Sequence, residues 1–424
     1  MPLGVGIIGA GTVGGGVIKT LLSNGGLIAA KTGIEVRLAH VAELKQEVLN
    51  EFDLTGVTTG SDVAALIADP NVHVVCELIG GLEPAKTFIL AALSAGKHVV
   101  TANKMLLAHA GPELCRASVQ HGVELRFEAS VAGGIPIIKA LREGLVANRV
   151  QFIYGILNGT CNYILSRMTY EGLEFGEALG QAIKLGFAET PPDLDIEGHD
   201  TAHKCQILAS LCYSTEVDLA SIPVEGITKV THADVAYARD MGYLIKLLAI
   251  IGAENGEIEV RVHPTLVPED HLLASVRNEF NAVYVQTDIA DATLYYGRGA
   301  GRMPTASAVV ADIVDIARRG GAGAIPPFTY GEKRPIRDIG RVEGRYYLRL
   351  TTLDKPGVLG KVCTILGGQG VSIASCIQKE SHRDECVNVV LMTHETVESS
   401  LRTALAEIAT LDFIREEPHV LRVL

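Results

Sequence analysis

Apolar and polar positions set a rhythm that changes along the chain. Residues 3 to 22, LGVGIIGAGTVGGGVIKTLL, read as an apolar strand, a glycine turn and an apolar helix. Strand-like runs follow at Glu35 to Ala39, Val72 to Leu78, Lys97 to Thr101 and Val123 to Glu128, with helical segments between them, the order of a parallel sheet covered by helices. After Pro136 the pattern changes. Val150 to Leu157 and Ile258 to Leu266 read as strands; Phe175 to Lys184, Thr201 to Cys212 and Tyr243 to Ile251 read as helices. A second glycine cluster, Gly297 to Gly301, opens the helical run TASAVVADIVDIARR. From Gly331 to Arg345 charged residues replace large apolar ones, as in a linker. Beyond it, Tyr346 to Leu353, Val358 to Leu366, Val371 to Gln378, Glu385 to Met392, Thr396 to Ile408 and a strand near Val420 give the order βαββαβ of a ferredoxin-like unit.

The expected class is α/β. Its parts are a Rossmann-type nucleotide-binding domain over 1–132, an α+β substrate and dimerisation domain over 133–305, a helix over 306–330 returning to the nucleotide-binding domain, a linker over 331–345 and a small regulatory domain over 346–424. Composition narrows the function. With 48% hydrophobic and 20% charged residues the chain reads as a globular enzyme, and a net charge of -12 argues against a nucleic-acid partner. The eight cysteines have no CxxC pair, which favours reduced thiols and a cytoplasmic location. No export signal precedes the first strand, and the run Tyr243 to Gly252 is too short for a membrane span and carries Lys246, so it reads as a buried helix.

Three stretches carry candidate chemistry. In the turn Gly9-Ala10-Gly11-Thr12-Val13-Gly14, Gly9 permits the bend, Gly11 lets backbone approach a pyrophosphate and Gly14 lets helix pack on strand; Thr12 and Val13 begin the helix that faces the anion. At the end of the second strand, Glu43 would suit the ribose hydroxyls of NAD and Lys45 the phosphate of NADP, so the expectation is NAD(P). Gly301, in the second glycine loop, could also contact the cofactor. Lys104 leaves the strand KHVVT at the carboxyl edge of the sheet, where such folds bind ligands, although a solvated surface lysine has the same appearance.

The third stretch, AIKLGFAETPPDLDIEGHDTAHK at 182–204, crowds acids and histidines before one lysine. Pro191 and Pro192 bar a helix before Asp193, so the acids are expected on a fixed loop. His199 and His203 have zinc-helix spacing but no persuasive third ligand. Asp200 and Lys204 stand at i and i+4, which by spacing alone favours a helix-face ion pair worth about a few tenths of a kcal/mol. Next to a dinucleotide fold the pair has another use, because a dehydrogenase needs a group to take the hydroxyl proton as hydride leaves. Glu189 and Asp195 could hold an ammonium group, so the substrate would carry both amine and hydroxyl.

The run GFAETPPDLDIEGHDTAHK closely resembles the signature of homoserine dehydrogenase, and GxGxVG, TANK, FEASVAGGIP, NGT and GRGAGRMPT resemble that family in the same order. The resemblance implies NAD(P)-dependent interconversion of L-homoserine and L-aspartate 4-semialdehyde, a step toward threonine, isoleucine and methionine. It implies that Lys204 moves the proton with Asp200 beside it, that Glu189, Asp195, Gly159 and Thr160 bind substrate, and that Lys104 lies between substrate and nicotinamide. It further implies a sodium ion on Glu128, Val131, Gly133 and Ile135. The tail LTTLDKPGVLGKVCTILGGQGVSI resembles an ACT domain, implying threonine as effector at Asp354, Pro356, Gly357, Val358 and Leu359, and a homodimer or homotetramer with no membrane partner. In this chain Pro191 stands where the family usually has Asp, Asn or Ser, and no arginine follows the second strand. The competing reading, a non-catalytic sensor of NAD(P) and an amino acid, is opposed by the presence of Lys204, Asp200, Glu189 and Lys104 together.

Overall fold

The computed structural model describes residues 2–188, 190–319, 331, 333–379 and 386–424. The chain forms two compact units, one of Met1–Ile153, His203–Ser221 and Phe280–Arg334, the other of Tyr154–Ala202, Ile222–Glu279 and Pro335–Leu424.

In the first unit six parallel strands, β1 (Leu3–Ile8), β2 (Val36–Ala42), β3 (Thr58–Gly60), β4 (Val74–Glu77), β5 (His98–Thr101) and β6 (Leu125–Arg126), lie in the order β3-β2-β1-β4-β5-β6. Val5, Ile7, Val74, Val75, Val99 and Val100 are fully buried, as continuous apolar runs must be when helices cover both faces. The order reverses between β1 and β4. That reversal opens a crevice at the carboxyl ends of the strands, and the glycine turn leaves from β1 there. Of the expected strand Val123 to Glu128 only Leu125–Arg126 pairs, and Glu128–Ser130 turns into a 3-10 helix. The helix Arg302–Arg319 crosses the helix Thr12–Thr32 at Gly16, where a Cβ would meet the Arg302 carbonyl at 2.6 Å. Residues 320–330 of the expected returning helix lie outside the described residues. The hairpin of β10 (Phe280–Thr287) and β11 (Ala292–Arg298) also belongs to this unit, and the sequence reading assigned no element to either strand.

The strand β7 (Val150–Ile156) leads into the second unit. There β8 (Tyr243–Glu254) and β9 (Glu257–Pro268) form a twelve-residue antiparallel pair, with every residue of one opposite a residue of the other. This corrects the helix expected over Tyr243 to Ile251. The run LIKLLAII is buried at all eight positions, so neither a period of 2 nor one of 3.6 can show in it, and a buried strand looks the same as a buried helix. The C-terminal part adds β12 (Glu343–Leu353), β13 (Ile373–Gln378), β14 (Cys386–Thr393), β15 (Thr396–Val397) and β16 (His419–Val423), in the order β16-β12-β14-β13 with β15 on β12. Helices Val358–Gly368 and Glu398–Ala409 cover one face, burying Leu348, Leu350, Val389, Leu391, Leu401 and Ile408. β16 runs parallel to β9 through Arg422 opposite Thr265 and Val423 opposite Leu266, so this sheet continues the β8–β9 sheet. A fully buried Asp234, on the helix His232–Asp240, receives Arg349 Nε (2.7 Å) and the Tyr347 hydroxyl (2.9 Å) from β12. Among the described residues no helix is long and apolar enough to cross a membrane, and no two cysteines are joined.

Lys246, within β8, is 2% exposed and donates to the Asn162 side-chain carbonyl at 3.1 Å and to the Val276 carbonyl, with no carboxylate among these partners. Burial, helped by the charge of Arg277, pushes its amine down to about 7. A lysine depressed in the folded state is deprotonated there first, so the folded protein holds fewer protons than the unfolded chain between pH 7 and about 10.4. Stability from this group is therefore full above the unfolded value and lost as pH falls through about 7. Lys246→Met is expected to flatten this profile, by on the order of 1 kcal/mol per pH unit over that window. Urea unfolding of both proteins at several pH values measures the slope, and parallel profiles would refute the assignment.

Candidate active site

The glycine turn follows β1 directly. Gly9 takes a left-handed backbone (φ 89°) and donates its N–H to the Ala42 carbonyl at 2.9 Å, tying the turn to the end of β2. Gly14 sits against it so closely that a Cβ would lie 1.9 Å from the Gly9 carbonyl oxygen. Gly11, the N-cap of helix Thr12–Thr32, has nothing within 4 Å of its missing side chain, and both Gly11 and Thr12 are exposed. The first N–H groups of the helix are thus open to an anion, as a dinucleotide pyrophosphate requires. Glu43 accepts the Ala10 N–H (2.5 Å) and the Lys45 N–H (2.9 Å), one on each carboxylate oxygen. Each oxygen keeps a lone pair for a ribose hydroxyl. Lys45 is exposed.

At the ends of β4 and β5, Glu77 is fully buried and takes donors from both strands' exits. One oxygen accepts the N–H groups of Ile79 (2.9 Å) and Gly80 (3.1 Å); the other accepts the Thr101 hydroxyl (2.8 Å) and the Asn103 amide (3.5 Å). Asn103 then caps the helix Lys104–His121 through the Leu106 N–H (3.1 Å). Lys104, half-buried, is the first residue of that helix, so its position is set by a buried carboxylate that the sequence reading did not single out. An acid closing an apolar strand, as in VVCELIGG, is the signal that was available.

The acid-rich stretch divides between the units. In the second unit the prolines end in a helical turn rather than a loop: Pro192 is the N-cap of Asp193–Ile196, a place where its lack of an N–H costs nothing. Asn158 caps the helix Gly159–Glu171 and donates its amide to both Asp195 (2.7 Å) and Asp200 (2.8 Å). Asn158 is 4% and Asp200 7% exposed. Thr160, one of the expected substrate ligands, spends its hydroxyl on the Phe187 carbonyl at 2.6 Å, and its neighbour Gly159 opens the helix. Glu189 lies outside the described residues. Helix His199–Tyr213 carries Asp200 in the second unit and, one turn on, His203 and Lys204 in the first, both 8% exposed. The His203 ring meets His109 of the Lys104 helix edge-on, centroids 5.6 Å apart. Among the described residues no three His, Cys, Asp or Glu side chains are arranged to hold a metal ion.

The second glycine loop and the Glu128 turn meet in the first unit. A Cβ on Gly133 would lie 2.4 Å from the Gly299 carbonyl oxygen, and the Gly134 N–H donates to Arg298 at 3.1 Å. Gly301 (φ 121°) begins the helix Arg302–Arg319, accepting the Thr305 N–H at 3.1 Å. Glu128 accepts the N–H groups of Ile138 (2.9 Å) and Lys139 (2.8 Å), and burial raises its carboxyl to about 7. Val131 and Ile135 are buried, and Ala132 and Gly133 both take left-handed backbone (φ 55° and 54°). In the C-terminal sheet, Gly357 (φ 87°) caps helix Val358–Gly368 after the exposed turn Asp354 to Pro356; Val358 is buried and Leu359 partly so.

Comparison with known proteins places these features in one family. Residues 136–314 match the model for homoserine dehydrogenase, residues 9–128 that for the NAD-binding domain of homoserine dehydrogenase, and residues 346–413 that for the ACT domain. A homoserine dehydrogenase of Neisseria gonorrhoeae is 42% identical over 100% of this chain and 98% of its own. The crystal structure of a homoserine dehydrogenase from Thiobacillus denitrificans superposes with a TM-score of 0.94 at 42% identity, covering 100% of this chain and 98% of that one. A hyperthermophilic archaeal homoserine dehydrogenase mutant, solved in complex with NADPH, is 26% identical with a TM-score of 0.63, over 74% of this chain and 98% of its own. Alike over its full length to the first two, this chain belongs to the homoserine dehydrogenase family of oxidoreductases, with an NAD-binding domain and a C-terminal ACT domain.

Proposed function

We propose that this chain oxidises L-homoserine to L-aspartate 4-semialdehyde, and catalyses the reverse reduction, with Lys204 moving the hydroxyl proton. The observation that carries this reading is Asn158, which draws Asp195 and Asp200 together one helical turn before Lys204. Asp195, with Glu189, holds the substrate ammonium. Lys204 takes the proton from the hydroxyl oxygen in oxidation and returns it in reduction, while Asp200, fixed by the Asn158 amide, orients the lysine. Lys104, set by Asn103 and Glu77 at the sheet edge, lies between substrate and nicotinamide. NAD(P)+ when bound supplies the hydride acceptor, seated on Gly9, Gly11, Thr12, Val13, Gly14 and Gly301. The ribose fits Glu43, whose carboxylate keeps acceptor capacity beside the glycine turn; Lys45 next to it would serve a 2'-phosphate instead.

A sodium ion would fit the carbonyls of Glu128, Val131, Gly133 and Ile135, since oxygen donors suit a hard cation and the two left-handed residues curl the turn on itself. It would brace the turn that abuts the second glycine loop. Threonine would bind at the turn Asp354, Pro356, Gly357, Val358 and Leu359 in a cytoplasmic homodimer or homotetramer. To test the reading, purified protein is given homoserine with NAD or NADP, with and without threonine, and reduced nicotinamide is followed by absorbance. Turnover slowed by threonine is expected. Absence of turnover with either cofactor would refute the enzymatic reading, and a rate indifferent to threonine would remove the effector.

A further inference from the structure

The helical turn bearing Asp195 is held from behind by a loop of the same unit. The Ile196 carbonyl accepts the Ile227 N–H at 2.8 Å, and Gly226 lies so near that a Cβ there would be 2.2 Å from the Ile196 oxygen and 2.4 Å from the Glu197 Cα. The loop is itself tied to β9, because the Glu225 N–H donates to the Val262 carbonyl (2.8 Å) and the Val262 N–H to the Pro223 carbonyl (2.9 Å). Between these bonds the Glu225 carboxylate meets Arg422 of β16 with both oxygens, Oε2 on Nη1 and Oε1 on Nη2, each at 2.9 Å. Arg422 is 7% exposed and is fixed on its other edge by Glu398, which takes Nε at 2.9 Å and Nη2 at 2.7 Å.

We infer that Glu225 and Arg422 are positioning residues for homoserine: through Gly226 and Ile227 they hold the Asp193–Ile196 turn, and with it Asp195, where the substrate ammonium is bound. The planar guanidinium fork fixes both position and orientation of the carboxylate it grips, which a single lysine contact would not. Glu225 is exposed on one side, while Gly226 next to it packs so tightly on Ile196 that no side chain could stand there. Loosening its grip frees the loop that carries the Ile227 to Ile196 bond. This inference rests on the reading of Asp195 as a substrate ligand.

The test uses the full chain and three variants. Glu225→Gln removes one charge from a half-exposed site and leaves Arg422 paired with Glu398, unlike Arg422→Met, which would leave the buried Glu398 carboxylate only Arg402 of its two arginines. For wild type, Glu225→Gln and Asp195→Asn, kcat and KM are measured for homoserine and for the cofactor, and exchange of the Ile227 amide is followed. Glu225→Gln is expected to raise KM for homoserine about tenfold, with KM for the cofactor within about twofold, and to speed Ile227 exchange about tenfold. Arg422→Lys, which keeps charge but loses the fork, is expected to show the same split at about half the fold-change. An unchanged homoserine KM and unchanged Ile227 exchange in Glu225→Gln would overturn the inference while leaving Asp195 in its role. An unchanged KM in Asp195→Asn would overturn the role of Asp195 and the inference with it.

Discussion

Lys204→Ala is expected to lower kcat for homoserine oxidation by about 10² to 10⁴ while cooperative unfolding survives. The first half follows from chemistry: without a base one turn from Asp200, the hydroxyl proton must go to water as hydride leaves. The second follows from the surroundings. Alanine is the strongest helix former, so His199–Tyr213 keeps its backbone, and Asp200 still receives the Asn158 amide at 2.8 Å. Stopped-flow and steady-state rates, with a urea melt alongside, separate the two parts. Near-normal turnover would mean that Lys204 is only a structural ion-pair partner, as its spacing alone suggests.

Gly14→Ala should damage the cofactor site without touching the substrate side. The added carbon would sit 1.9 Å from the Gly9 oxygen and 2.9 Å from its carbonyl carbon, and these are backbone atoms in a turn held by Ala42. The turn must open, taking Gly11 and Thr12 with it. Loss of NAD(P)H affinity by at least about 30-fold is expected, equivalent to about 2 kcal/mol. Gly25→Ala, in the same helix with nothing within 4 Å, is the control; it should leave affinity alone and raise stability by about 0.5–1 kcal/mol through the alanine preference of helices. Fluorescence titration with NAD(P)H reads both, and equal affinity in Gly14→Ala and wild type would remove the glycine from the cofactor site.

Legibility in the sequence followed the range of the interaction. The glycine turn and the ACT-type βαββαβ order depend on neighbours within a few residues, so their residue types announced them. The motif TANK was visible for the same reason. Glu77 was not, because what makes it a hub, Thr101 and Asn103, stands 24 and 26 residues away. Asn158 was not visible either, because its amide contacts to Asp195 and Asp200 span 37 and 42 residues. The grip of Arg422 on Glu225 spans 197. For β8 the difficulty was different: burial on both faces erased the periodicity from which an element is recognised.

The shared sheet of the second unit has a practical consequence for anyone hoping to trim the chain by deleting the ACT domain. A cut ahead of β12 removes β12 and β16, and with them the cation that neutralises Asp234 and the hydroxyl that donates to it. Burial would raise that carboxyl, and it is Arg349, His419 and Thr231 that hold it below the usual range; of these only Thr231 would remain. The cut would also bare the edge of β9 where Arg422 and Val423 had paired. The fragment would come out as inclusion bodies more readily than as a trimmed catalyst. Probing what the ACT domain does is a task for point changes, with the sheet left whole.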